Sequence, residues 1–112
     1  MKKIIPLILS LIFISTSVQL SAADDIQNGA QKYQTNCLVC HGIKGLGDGP
    51  AASTLAKKPS NLVKKLNNIF KPKMVLSYTV LKGKVDQGMP AWEGILSKQD
   101  TYDIFAYIES IQ

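Results

Sequence analysis

The chain has 112 residues, with 13 lysines against 8 acidic residues and a formal net charge of +5. It holds two cysteines and one histidine, too few for a structural zinc site, which takes four Cys or His ligands. The length suits one domain. With no arginine and no basic motif interleaved with aromatic residues, a nucleic-acid surface is not expected.

In chain order, the first element reads as an export signal. Met1-Lys2-Lys3 is followed by the apolar stretch Ile4 to Ile14 and then by the small residues Ser21-Ala22-Ala23. This predicts a signal peptide over residues 1–23, cut between Ala23 and Asp24. The apolar stretch is short for a bilayer span of about 20 residues and is interrupted by Pro6, so a retained anchor is the weaker alternative. Cleavage leaves residues 24–112 as a periplasmic domain with no stable membrane insertion. Lys2 and Lys3 leave with the signal, so 11 lysines then face 8 acids, a net +3. Eight lysines (57, 58, 64, 65, 71, 73, 82 and 84) lie between Gly49 and Val85 with no acid among them. The result is a basic middle segment.

Asp24 to Asn36 predicts a short helix whose Ile26, Gly29, Ala30 and Tyr33 share a face. Glycine inside a helix costs about 1 kcal/mol against alanine, a cost explained if another helix crosses there. Cys37-Leu38-Val39-Cys40-His41 follows. C-x-x-C-H is the attachment signature of c-type haem: each thiol reaches one vinyl group of a porphyrin, and the histidine next to the second thiol is held under the iron. A thioredoxin-like site would need a long helix after the motif, which Gly42, Gly45, Gly47 and Gly49 rule out. A single disulfide remains the alternative.

Beyond the glycine loop, Ala51 to Lys57 suits one or two helical turns, and a short segment from Asn61 ends near Phe70. Pro72 opens a helix that Gly83 stops, with Met74, Tyr78 and Leu81 on one face and Val75 at its edge. Ser97 to Gln112 is the clearest helix: Ser97 and Asp100 resemble a capping box, and Thr101, Ile104, Phe105, Ile108 and Ile111 form an apolar stripe. No stretch shows period-two alternation. The expected class is all-α, with long ordered loops and no sheet.

An iron bound by His41 has a second axial position. Met89, between Gly88 and Pro90 in a loop, is the expected ligand, with Met74 or an open site as alternatives. A thioether favours Fe(II) relative to a second imidazole, so His/Met ligation raises the reduction potential. With both positions filled the iron changes charge without exchanging ligands, which suits electron transfer.

Taken together, Gly29-x-x-x-Tyr33, Cys37-x-x-Cys40-His41-Gly42, Gly47-Asp48-Gly49-Pro50, Met89-Pro90-Ala91-Trp92 and Ala106-Tyr107-Ile108 make the chain resemble the small bacterial class I cytochromes c. The resemblance implies a compact fold of short helices and long loops around one covalent haem c, with the terminal helices crossing where Gly29 and Tyr33 meet Ile104 and Tyr107. It implies thioethers at Cys37 and Cys40, axial bonds from His41 and Met89, and a Pro50 carbonyl that accepts from the other imidazole nitrogen. It places Trp92 near the propionate side, the alternative being simply a large core residue. The expected function is a monomeric periplasmic electron carrier, not an enzyme, steered by its lysines to redox partners with acidic docking patches. The alternatives are a haem subunit of a larger redox enzyme and a small-ligand-binding haem protein with a labile Met89.

Overall fold

A computed structural model describes residues 23–112, so the expected signal peptide lies outside the described residues except for Ala23. Five helices follow in order: α1 (Ile26–Asn36), α2 (Leu38–His41), α3 (Leu62–Leu66), α4 (Lys73–Lys82) and α5 (Lys98–Ser110). Single 3-10 turns at Ala52–Thr54 and Val85–Gln87 punctuate the loops. Among the described residues no helix is long and apolar enough to cross a membrane.

The terminal helices carry the architecture. α1 starts at Asp25, whose side chain accepts from Asn28 N. α5 starts at a full capping box, Ser97 accepting from Asp100 N and Asp100 accepting from Ser97 N. The two helices cross at Gly29, where a Cβ would run into the carbonyl group of Asp103 and stand 2.9 Å from Ile104 N. The absence of a side chain thus permits the backbones to touch. Tyr33, Leu96, Ile104, Phe105 and Ile108 make the buried core, and the Tyr33 ring packs 5.6 Å from that of Tyr107.

The start of the crossing is tied by a buried carboxylate. Asp103 accepts from Asp25 N at 2.8 Å, Asn28 Nδ2 at 2.7 Å and Gln99 Nε2 at 3.0 Å. Burial pushes its carboxyl up, but these donors outweigh that and hold it below the ordinary range. Asp100 is lowered as well, first by the Ser97 N–H and then by Asn28. Groups with lowered folded-state pKa values add stability above the ordinary carboxylate value of about 4 and lose it as pH falls through the folded value. Thermal melting should therefore weaken on acidification below about pH 4, and less so in an Asp103→Asn variant. An identical acid dependence in that variant would clear Asp103 of the effect.

α4 departs from expectation. Pro72 is its N-cap and Gly83 its C-cap, but Met74 and Tyr78 are 60 % and 65 % exposed. The inward face is instead Leu76, Ser77, Val80 and Leu81, with Leu76, Val80 and Leu81 packed on the core. Apolar residues surround this helix, so their spacing does not select a face. The choice is made by Ser77, buried against Thr101 of α5. Thr101 donates to Lys98 O, which leaves Ser77 to donate to Thr101 at 2.6 Å.

Candidate cofactor site

α1 delivers the Cys37-x-x-Cys40-His41 segment and α2 bends it back. The Cys37 N–H donates to Tyr33 O at 2.8 Å, and the His41 N–H to Cys37 O at 2.9 Å. The glycine loop wraps the outside of this turn. Gly47 N donates to His41 O, Gly49 N to Cys40 O and Ala51 N to Val39 O, so the motif's carbonyls are satisfied by the loop that follows it. The Tyr33 hydroxyl donates to Gly42 O at 2.6 Å and locks the end of the motif to α1. Burial pushes that phenol well above its ordinary range, with Cys37 adding to it.

Cys37, Cys40, His41, Met89 and Trp92 line one cavity of about 240 Å³. Its walls include Leu55, Leu62, Val80, Ile104, Phe105 and Ile108. A smaller adjoining cavity of about 80 Å³ also touches His41 and Met89. Both cysteines are free thiols. Burial, with Cys40 adding to it, pushes the Cys37 thiol up to about 12.

The His41 ring is oriented by a carbonyl that the sequence did not point to. Nδ1 stands 3.0 Å from Ser60 O; a carbonyl only accepts, so Nδ1 carries the hydrogen and Nε2 keeps its lone pair. Burial lowers the His41 pKa, with the Ser60 bond working the other way, and the neutral form is the one that binds metal. The expected acceptor, Pro50, is corrected here. Gly49 and Ala51 on either side of it donate back to Cys40 O and Val39 O, which pins Pro50 outside the turn, exposed and off the cavity. Ser60 precedes Asn61, the N-cap of α3, so its carbonyl lies outside the helical ladder and is free to accept. Pro59-Ser60-Asn61 was the available signal: a cap residue following a turn.

Met89 is held by a turn of its own. Gly88 adopts φ +87° at the end of the Val85–Gln87 turn, a left-handed conformation that favours glycine. Lys84 and Met89 then exchange two backbone hydrogen bonds, Lys84 N to Met89 O at 2.9 Å and Met89 N to Lys84 O at 3.1 Å. Met74 lines neither cavity. Lys57, Lys58, Lys65 and Lys84 line the larger cavity and Lys65, Lys71 and Lys84 the smaller, and no Asp or Glu of the described residues lines either.

These residues fit a haem. Two thiols on one short turn, a neutral imidazole with a free Nε2, a thioether sulfur and apolar walls are a donor set and lining that could hold the group.

The comparisons agree with this. The cytochrome c family model matches residues 26–112. A 1-butanol dehydrogenase (cytochrome c) of Thauera butanivorans is 29% identical over 86 residues, covering 76% of this chain and 11% of that protein. A chain from the reducing HAO-like protein complex of Kuenenia stuttgartiensis aligns with a TM-score of 0.66 at 23% identity, over 83% of this chain and 47% of that one. The second likeness is one of fold alone. This chain spans about a ninth of the first relative and about half of the second.

Proposed function

This chain belongs to the cytochrome c family, and we propose that it is a one-electron carrier whose iron is bound by His41 and Met89. Its cofactor is one covalent haem c, which supplies the redox-active iron. The observation that carries the reading is the convergence of Cys37, Cys40, His41 and Met89 on one apolar cavity. The two thiols would anchor the group covalently. Ser60 O holds the imidazole in the tautomer that ligates, and the Lys84 bridge holds the methionine backbone still. With His41 and Met89 both holding the iron and both braced by the fold, little would have to rearrange when its charge changes. The visible spectrum of the reduced holoprotein tests this: no change on adding carbon monoxide is expected. A carbon monoxide complex would mean an open distal site and a ligand-binding function.

Lys57 and Lys58, exposed beside the cavity mouth, support docking to acidic patches on redox proteins. Changing both to Gln should slow reaction with an acidic partner several-fold at low salt and little at high salt. A rate indifferent to charge and salt would sink the steering idea. An export signal over residues 1–23, as the sequence predicts, would place the chain in the periplasm, where thiols are kept for haem attachment by reduction. The likeness to a stretch of a dehydrogenase named for its cytochrome c favours a second reading, in which the chain takes electrons from one dedicated dehydrogenase.

A further inference from the structure

The turn between α3 and α4 leaves two bulky apolar side chains in solvent. Ile69 is 88 % exposed and Phe70 86 %. They are not frayed: Asn68 Oδ1 accepts from Phe70 N at 2.9 Å and Asn68 O from Lys71 N at 3.1 Å. The turn is built by its own hydrogen bonds and buries neither residue. Met74 and Tyr78, one turn apart on the following helix α4, are exposed as well. None of these four lines either cavity, so the cofactor site does not cover them.

Cations surround the turn. Lys64, Lys65, Lys71 and Lys73 flank it in sequence, and among the described residues only Lys73 of these is ion-paired, to Glu109 at 2.8 Å. We propose that this α3–α4 corner is a peripheral docking surface for an anionic lipid bilayer. Ile69 and Phe70 enter the interface, and Lys64 and Lys71 meet the headgroups. Charge selects the occupant. A second copy of the chain would bring lysines against lysines, whereas an anionic bilayer complements them along the whole turn. Shape points the same way, since two side chains that protrude almost completely enter a soft interface more readily than they match a rigid protein face. Two side chains give reversible contact, not the stable insertion of a spanning helix. The proposal stands apart from the axial-ligand reading, because vesicle retention does not depend on the potential or on what binds iron.

Co-sedimentation of the holoprotein with vesicles tests it, with unbound protein read by its visible absorbance. Vesicles of phosphatidylcholine with about one-third phosphatidylglycerol should retain the protein at low salt, and neutral phosphatidylcholine vesicles should not. The Ile69→Asn/Phe70→Ser variant should lose about tenfold or more in partitioning. The Lys64→Gln variant should lose about fivefold, and raised salt should release the wild type. Ile69, Phe70 and Lys64 are exposed and line neither cavity, so unchanged melting temperatures are expected to accompany the loss. Wild-type protein left in the supernatant overturns the proposal, as does equal binding to neutral vesicles. Full retention by either variant overturns it too. Slower reaction of the variants with a redox protein, without vesicle binding, would make the surface a protein contact and overturn it as well.

Discussion

Met89→Ala is expected to lower the reduction potential on the order of 0.1–0.2 V, within the roughly 0.8 V range that axial ligation spans. It is also expected to open the iron to carbon monoxide. The physical reason is the loss of a soft, neutral thioether that favours Fe(II). Truncation to alanine leaves the two backbone bonds between Lys84 and residue 89 untouched, so the loop should keep its course and the change should stay local. Met74→Ala is the matching control. That side chain is 60 % exposed and lines neither cavity, so potential and ligand binding should not move. Potentiometric titration and carbon monoxide difference spectra read both variants. An unaltered potential in Met89→Ala would remove Met89 from the iron, and a shift in Met74→Ala would bring the other methionine back.

Gly29→Ala should destabilise the fold, although alanine is the better helix former by about 1 kcal/mol. The added methyl meets the backbone carbonyl of Asp103, not a side chain that could swing aside. The helices must part, and the Asp25, Asn28 and Gln99 bonds to Asp103 stretch with them. Overpacking of this kind costs about 1–3 kcal/mol and sometimes more. A net loss of about 2 kcal/mol is expected, which lowers the melting temperature of a domain this size by about 10 °C. Gly29→Val should cost more, because its branched side chain cannot avoid the same carbonyl. Differential scanning calorimetry would measure both. An alanine variant at least as stable as the parent would show that the crossing has slack.

What the sequence by itself determined were the features whose chemistry is local. The thiols and imidazole of Cys37, Cys40 and His41 are adjacent in the chain, so their joint use is written in five residues. The Ser97 and Asp100 cap is likewise closed within one helical turn, and Gly29 declared a close crossing because no other residue would be spent there. Tertiary structure decided the rest, wherever the partner is distant or the local pattern is degenerate. Any free carbonyl can accept from His41 Nδ1, and only the return of the chain at residue 60 selects Ser60 over Pro50. A helix with apolar residues all round has no preferred face until Ser77 finds Thr101, 24 positions away. Ile69 and Phe70 are bulky and apolar yet stand in solvent, because a turn closed by Asn68 is stable without burying them. Spacing along the chain reports which groups can act together locally. Which groups meet, and which are left facing solvent, depends on the long-range packing of α4 and α5.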